Sequence, residues 1–331
     1  AETTLKAAVA LPRVRAERKR GFWATLRLQW LLFVLLAPAV IWTVVFNFYP
    51  TLLTIPLVFK DYKIMLGIWK SPWIGFATMQ RAMAAPDFWQ VLRNTIIISL
   101  MRLGFGFFPP IILAILTHDL RLSQVRRVCQ SVTYLPHFLS WPIAWGIVLA
   151  IFSPSSGVLI TYLRRIGLNP PDIFIDSRYF RPLVVFSGIW KEVGWGTIIY
   201  LAALSGIDVE LYEAAMVDGA SGWQQFSRIT LPLILVALAP LLIASFAFNF
   251  NNFTVIYLVT KGRPAIPNAL TPTGATDILI SYTYRMAFES GSGGSYGLAS
   301  AVSLLIFLIV GALSWVNFKF TGALEGVREN V

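Results

Sequence analysis

The sequence predicts an all-α membrane protein with six transmembrane helices. Hydrophobic residues make up 56% of the 331 residues, charged residues only 13%, and the mean hydropathy is +0.68. A soluble domain carries roughly 25% charged residues, so this chain has too few charges to cover a large soluble core. A helix that crosses a bilayer needs about 20 apolar residues. Six stretches come close to that length: 28–48, 92–116, 131–152, 183–205, 233–251 and 298–318.

The basic residues predict the orientation of these spans. With six spans both termini lie on one side, which has 13 Lys and Arg in about 79 residues, against 11 in about 118 on the other. The denser side is expected in the cytoplasm. The run "RVRAERKR" at 13–20 is then a determinant of orientation, and a nucleic-acid-binding role for the net charge of +11 is disfavoured.

The predicted organisation is one transmembrane domain between two cytoplasmic ends. We expect a basic N-terminal segment over 1–27, a transmembrane domain over 28–319 and a C-terminal tail over 320–331. The first apolar stretch is too long for the core of a signal peptide and is expected to remain as a helix.

A single cysteine, Cys129, excludes an intrachain disulfide and a cysteine-rich metal site.

Prolines interrupt the second and third predicted spans. Pro109 and Pro110 fall in the second, and Pro136 and Pro142 in the third. A proline inside a membrane helix frees backbone carbonyl groups, which neighbouring helices or water must satisfy. We therefore expect broken helices beside a cavity, or kinks that pack against another helix.

The stretch "EAAMVDGASGWQQFSRITLP" at 213–232 is too polar to lie in the membrane, although apolar spans flank it. Asp208 can cap a short helix, Asp218-Gly219 can end it, and Ser221 can cap a second one. The pattern predicts two short cytoplasmic helices that meet at a glycine. The small side chains of Ala214 and Ala215 leave room for a partner. The acidic side chains of Glu213 and Asp218 lie at the edge of this surface.

This stretch has the spacing Glu-Ala-Ala, three residues, Gly, nine residues, Ile-x-Leu-Pro, which resembles the signature of permease subunits of ABC importers. The matching residues are Glu213, Ala214, Ala215, Gly219, Ile229, Leu231 and Pro232. In that family the loop, here 206–232, is a coupling helix in a groove of a cytoplasmic ATPase. The resemblance implies the fold of a type I importer permease and ATPase contacts at Glu213, Ala214, Ala215, Asp218 and Gly219.

The sequence offers no sign of enzymatic chemistry. It has no phosphate-binding loop of the form G-x-x-x-x-G-K-[ST], and its two histidines, His118 and His137, lie near the ends of spans. We expect a transport subunit without a cofactor of its own. ATP and Mg would then bind to partner ATPase subunits.

Further segments resemble permeases of carbohydrate importers. They include "FNFYP" at 46–50, "GIWKEVGWG" at 188–196 and "LAPLLIASFAFNFNNF" at 238–253, and the resemblance covers most of 30–320. In these segments the chain is similar to the large permease subunit of the maltose importer and to permeases for oligosaccharides and polysaccharide fragments. The resemblance implies a bacterial inner-membrane location, a second homologous permease, two ATPase subunits and an external solute-binding protein.

Two sets of residues are predicted to contact a sugar. Ser245, Phe248, Asn249 and Asn252 have the spacing of one helix face, and asparagine amides both donate and accept, as sugar hydroxyl groups do. The resemblance to the maltose permease places sugar contacts at these positions. The alternative is that the asparagines join helices.

The second set shares a face of the fourth span and, by the same resemblance, also contacts sugar: Gly188, Lys191, Glu192 and Trp195. The maltose permease is uncharged there. Because charges in the bilayer are costly and face a wet cavity or a partner, we expect Lys191, with Arg102 of the second span, to meet an acidic saccharide such as an alginate fragment. The alternative is an ion pair between helices.

The expected function is therefore that of a permease subunit in an ABC importer that carries acidic, alginate-like oligosaccharides across the bacterial inner membrane by alternating access. Import of neutral oligosaccharides, or of a non-sugar solute such as a peptide, is the nearest alternative. An ion-coupled secondary transporter would need inverted repeats and intramembrane carboxylates. A glycan-cleaving membrane enzyme would need paired carboxylates, which the sequence does not offer.

Overall fold

The computed structural model describes residues 28–118, 120, 122–265, 273–289 and 295–321. In these residues the chain forms helices, turns and two isolated β-bridges, without a strand, so the all-α prediction is confirmed. The chain divides into two units, Ala1–Ile55 and Pro56–Val331. The basic segment 1–27 and most of the tail 320–331 lie outside the described residues, and the domain boundaries stay a prediction.

The helices are numbered in chain order. They are α1 (Trp30–Val58), α2 (Gly67–Lys70), α3 (Ala77–Ala84), α4 (Pro86–His118), α5 (Ser123–Tyr134), α6 (Trp141–Phe152), α7 (Val158–Arg165), α8 (Ser177–Ser205), α9 (Val209–Val217), α10 (Gly222–Gln225), α11 (Leu231–Phe250), α12 (Leu279–Phe288) and α13 (Tyr296–Thr321). A 3-10 turn, Leu135–Phe138, extends α5. The π-helical turn Phe226–Thr230 joins α10 to α11.

All six predicted spans fall on helices: α1, α4, α5 with α6, α8, α11 and α13. Among the described residues, α1, α4 and Tyr296–Val316 of α13 are long and apolar enough to cross a bilayer, and the bent pair of α5 and α6 would be a fourth. The fourth predicted span lies in α8 and contains the charged residues Lys191 and Glu192, which lower its hydropathy. The number six therefore stays a prediction.

Helix α4 runs through the core of the unit Pro56–Val331. Its first turns pack with α12 and α13, its middle with α6 and α8, and its last turns with α8 and α11. Buried residues along α4 mark the three contacts: Phe88 and Val91, then Ile98, then Ile111 and Ala114. Since lipid tails are as apolar as these side chains, close packing rather than removal from water holds such helices together.

The two proline pairs have different effects. The chain turns by 106° between α5, with its terminal 3-10 turn, and α6, and the break falls between Pro136 and Pro142, as predicted. Helix α4, in contrast, continues through Pro109 and Pro110, so the predicted interruption of the second span is wrong. Pro110 is buried against Gly196 of α8, where an added Cβ would lie 3.0 Å from the proline ring. Neighbouring packing thus supports an unbroken helix.

Polar side chains attach the segment 273–279 to α4 and α8. The Arg181 guanidinium donates to the Asn94 side-chain oxygen at 2.6 Å and to the Ala275 carbonyl at 2.7 Å. The Asn94 amide donates to the Gly274 carbonyl at 3.1 Å. Hydrogen bonds to charged groups are among the stronger ones in proteins. This cluster therefore fixes α4 and α8 against each other near Asn94 and Arg181.

Helix α8 lies directly against the end of α5 at Gly194. A Cβ added there would lie 2.2 Å from the Thr133 carbonyl oxygen and 2.6 Å from the Tyr134 Cα. Both neighbours are backbone atoms and cannot rotate away. Only glycine therefore permits this contact, which holds the broken helix against α8.

We expect Gly194→Ala to destabilise the protein, because one methyl group forced into a close-packed contact costs about 1–3 kcal/mol. The measurement is the temperature at which the detergent-solubilised protein loses its folded state. Gly104→Ala in α4 is the matched control, because an added Cβ there meets nothing within 4 Å. Equal melting temperatures of the two variants would contradict the contact.

Candidate transport site

Helices α4, α8 and α11 and the turn at the end of α5 surround a cavity of about 740 Å³. Most of its lining is apolar. Seven side chains add polar or charged groups or an indole to that lining: Arg102, His137, Glu192, Trp195, Tyr200, Ser245 and Asn249. A cavity with a few convergent polar groups in an apolar wall is the usual form of a binding site for a small molecule.

Helix α11 supplies three of the predicted sugar-contact residues. Ser245, Phe248 and Asn249 all line the cavity, the Asn249 amide nitrogen lies 3.4 Å from the Ser245 hydroxyl oxygen, and the Phe248 ring is 69% exposed. The fourth residue, Asn252, lies beyond the end of the helix at Phe250 and is buried. Its side-chain oxygen accepts from the Val255 N–H at 3.4 Å. Only the first three therefore share a helix face.

Helix α8 places Gly188, Glu192 and Trp195 in the cavity wall. Lys191 has other partners: its Nζ donates to the His137 carbonyl oxygen at 2.8 Å and lies 3.3 Å from Glu192 Oε1. It is not among the described residues that line the cavity. The roles predicted for Lys191 and Asn252 in substrate contact stay predictions.

Arg102 is the cation in the cavity wall. Its guanidinium group passes over Gly188, where an added Cβ would lie 3.0 Å from Nη2. The Glu192 carboxylate attracts this guanidinium group electrostatically, without a hydrogen bond. Within the described part of the chain, Arg102 forms no hydrogen bond or ion pair with another side chain. Its charge is therefore free to meet a ligand.

His137 lies near the end of a predicted span and was not among the predicted site residues, but the structure places it in the cavity wall. Its Nδ1 atom lies 2.8 Å from Glu192 Oε2, and its ring stacks on Trp195 at a centroid distance of 5.1 Å. The proline pair around His137 was the feature of the sequence that indicated this position, because irregular backbone at membrane depth is tolerated where it lines a cavity.

The charged groups around the cavity do not balance. Arg102 and Lys191 carry two positive charges, and Glu192 carries one negative charge. At least one positive charge is therefore left over. An unpaired charge in a poorly solvated place is costly, and the expectation that an acidic ligand compensates it stays a prediction.

The coupling loop 206–232 has the conformation that its sequence predicts. The Asp208 carboxylate accepts from the Glu210 N–H and begins α9. Gly219 has a φ of +76°, and hydrogen bonds at 2.9 Å from Ala220 to Ala215 and at 3.1 Å from Gly219 to Met216 close the end of the helix. This is the Schellman arrangement, in which glycine is preferred.

The second short helix and the contact surface also agree with the prediction. Ser221 and Gln224 form a capping box at the start of α10. The residues predicted to contact an ATPase are exposed, apart from the half-buried Ala215: Glu213, Ala214, Asp218 and Gly219. Met216, Val217 and Trp223 add exposed apolar area beside them. Whether an ATPase covers this surface stays a prediction.

These features define a class of protein: a helical membrane subunit with a central cavity and an exposed coupling loop. A family model described as the inner membrane component of binding-protein-dependent transport systems matches residues 111–322. The chain belongs to this family. The resemblance of the stretch at 213–232 to the signature of these permeases is thereby confirmed.

Individual relatives agree with this assignment. Protein LplB of Bacillus subtilis (strain 168) is 36% identical over 93% of this chain and 95% of its own length. The maltose/maltodextrin transport system permease protein MalF of Escherichia coli (strain K12) is 40% identical over 69% of this chain. The match covers only 44% of MalF, so the chain corresponds to less than half of that protein.

A solved structure is similar over nearly the whole chain. It is a chain from the crystal structure of a bacterial alginate ABC transporter in complex with an alginate pentasaccharide-bound periplasmic protein, with a TM-score of 0.77 and 31% identity. The match covers 91% of this chain and 97% of that one. The predicted resemblance to permeases of carbohydrate ABC importers is confirmed.

We expect Gly188→Ala to displace the Arg102 guanidinium by a few tenths of an ångström while the protein stays as stable as the wild type. The group in its way is the end of a flexible side chain, unlike the backbone that faces Gly194. Thermal denaturation and a structure of the variant by electron cryo-microscopy provide the measurement. A fall in melting temperature as large as that of Gly194→Ala would show that the guanidinium is held rigidly.

Proposed function

We propose that this chain is a permease subunit of an ATP-driven importer that carries oligosaccharides, preferably acidic ones such as alginate fragments, across the bacterial inner membrane. The observation that carries the proposal is the Arg102 guanidinium, which lines a mostly apolar cavity with a few polar and aromatic groups and has no bonded counter-ion in the described structure. No covalent chemistry is proposed for this subunit. ATP and Mg bind to its ATPase partners.

The character of the cavity wall supports a saccharide. Trp195 and Phe248 offer exposed ring surfaces, at 45% and 69% exposure, onto which the C–H face of a pyranose can pack. Ser245 and Asn249 offer a hydroxyl and an amide that pair with sugar hydroxyl groups. The maltodextrin permease and the alginate transporter among the similar proteins also handle saccharides.

The charge of the cavity separates acidic from neutral substrates. MalF is named for a neutral saccharide and the structural neighbour for an acidic one, so the relatives leave both classes open. Arg102 lines the cavity without a bonded counter-ion in the described residues, and a uronate carboxylate would supply one. A neutral oligosaccharide, or a non-sugar anion, is the alternative, and the experiment below distinguishes them.

The coupling loop supports transport driven by an ATPase. We propose that Glu213, Ala214, Ala215, Asp218 and Gly219 seat in a groove of an ATPase subunit, and that a second permease and a solute-binding protein complete the assembly. The loop is followed by α11 and preceded by α8, the two helices that carry most of the proposed sugar contacts. Movement of the loop would reach both walls and open the cavity alternately outward and inward.

The orientation follows from the same proposal. An ATPase on the coupling loop requires that loop, and with six spans also both termini, to lie in the cytoplasm. The higher density of Lys and Arg on that side supports this orientation.

We expect an acidic oligosaccharide, delivered by the binding protein, to stimulate ATP hydrolysis by the reconstituted assembly more strongly than a maltodextrin of equal length. In Arg102→Met the half-maximal concentration of the acidic substrate should rise about tenfold to a hundredfold, the usual effect of losing a charge-assisted hydrogen bond. The response to a neutral substrate should change little. The measurement is ATPase activity in proteoliposomes against saccharide concentration.

Arg93→Met is the matched control, because Arg93 lies on the same helix, is exposed and is not part of the cavity lining in the described structure. It should behave like the wild type. Stimulation of the wild type by maltodextrin alone would overturn the acidic preference but keep the importer. A lack of stimulation by any saccharide would overturn the proposed substrate class.

We expect Gly219→Ala to lower the maximal transport rate without changing the half-maximal saccharide concentration. An L-residue at a φ of +76° costs about 1–2 kcal/mol, which distorts the end of α9 far from the cavity. Uptake of labelled oligosaccharide into proteoliposomes provides the measurement. Gly222→Ala is the control, since Gly222 does not have a positive φ and its added Cβ meets no atom within 4 Å. An equal loss in both variants would argue against the coupling role.

A further inference from the structure

The break between α5 and α6 creates a local problem inside the membrane. The 3-10 turn ends at Phe138 and α6 begins at Trp141. The carbonyl groups at the end of the turn therefore lack the N–H donors that a further helical turn would supply. In an apolar layer each unsatisfied carbonyl group is costly. The Lys191 ammonium group reaches one of them, the His137 carbonyl oxygen, at 2.8 Å.

The surroundings of Lys191 suit a fixed cation. The residue is only 5% exposed, its Nζ lies 5.3 Å from the centroid of the Trp141 ring, and Glu192 Oε1 lies 3.3 Å away. A cation is also favoured at the C-terminal end of a helix, where the peptide dipoles place negative charge. A carbonyl group from before the break, an aromatic ring from after it and a carboxylate of α8 itself therefore surround one amine.

The carbonyl that Lys191 binds belongs to a residue of the cavity wall. The His137 ring lies 2.8 Å from the Glu192 carboxylate and stacks on Trp195, and both of those residues also line the cavity. Residues 191, 192 and 195 thus contact the backbone, the ring nitrogen and the ring face of the same histidine. Loss of the bond to the backbone would free the turn that carries the ring.

We infer that Lys191 is a positioning residue: its ammonium group caps the broken end of α5 and thereby holds the His137 ring against Glu192 and Trp195 in the cavity wall. Lys191 then affects every substrate that uses this wall, whatever the charge of that substrate. Arg102, in contrast, affects acidic substrates selectively. The claim about affinity rests on the proposed function, but the claim about the turn does not.

The first experiment tests the turn without any substrate. Cys129 is the only cysteine in the sequence, is half-buried and lies on α5 two helical turns before His137. In proteoliposomes, N-ethylmaleimide should modify Cys129 several-fold faster in Lys191→Met than in the wild type, because the end of α5 is released. Lys191→Arg retains a cation and a donor and should restore a slow rate. Arg102→Met removes an equal charge nearby and should leave the rate unchanged.

The second experiment measures ATPase stimulation by an acidic oligosaccharide and by a maltodextrin of equal length. For Lys191→Met we expect the half-maximal concentrations of both saccharides to rise by the same factor, about tenfold, as for the loss of one strong hydrogen bond. The ratio between the two saccharides should stay that of the wild type. Lys191→Arg should recover most of the affinity for both.

The outcomes separate the two proposals. A Cys129 modification rate that is the same in Lys191→Met as in the wild type would overturn the positioning role. A loss of affinity confined to the acidic saccharide would also overturn it, because Lys191 would then bind the substrate directly. If no saccharide stimulates the wild type, the proposed function fails, while faster modification of Cys129 in Lys191→Met would still support the role in holding the turn.

Discussion

A helix that breaks inside a membrane must satisfy the carbonyl groups that the break exposes, and the hydrogen bond from Lys191 to the His137 carbonyl does this for the turn that ends α5. The glycine contact at Gly194, one turn away, brings the two backbones close enough for the bond to form. With the turn held, the His137 ring reaches Glu192 and Trp195. The arrangement of the polar cavity wall thus depends on a general requirement: the free carbonyl groups of a broken helix in a membrane need hydrogen-bond donors.

The same constraint separates the two cations near the cavity. Lys191 is a compact point charge on a flexible stem, suited to a single carbonyl, and nearly all of it is buried. Arg102 presents a planar group with several donors, suited to a carboxylate, and it passes close to α8 over the Cβ-free surface of Gly188. Lys191 is therefore bound within the fold, whereas Arg102 has no bonded counter-ion in the described residues. That a ligand supplies this counter-ion is part of the proposed function.

The coupling loop could be predicted from sequence to the level of individual caps because capping is local: Asp208, Ser221 and Gly219 act on backbone groups within a few residues of themselves. The cavity-lining residues of α11 could also be predicted as far as the helix extends, whereas Asn252 does not share their face because the helix ends at Phe250. The partner of Lys191 lies 54 residues away on another helix. Spacing along the sequence carries no information about such a contact, which explains why His137 was missed.

The order of the elements links the cavity to the loop. Helix α8 runs unbroken from the residues that hold His137 to Ser205 and is followed closely by α9, while the π-helical turn Phe226–Thr230 passes directly into α11. Within the loop, the Tyr212 and Thr230 hydroxyl groups share a hydrogen bond at 2.9 Å, and side chains of α8, the loop and α11 meet in one apolar cluster. Two cavity walls and the loop are therefore packed together. In the described residues only three residues separate α8 from α9, so we expect a displacement of α9 to reach α8 and its cavity-lining residues directly.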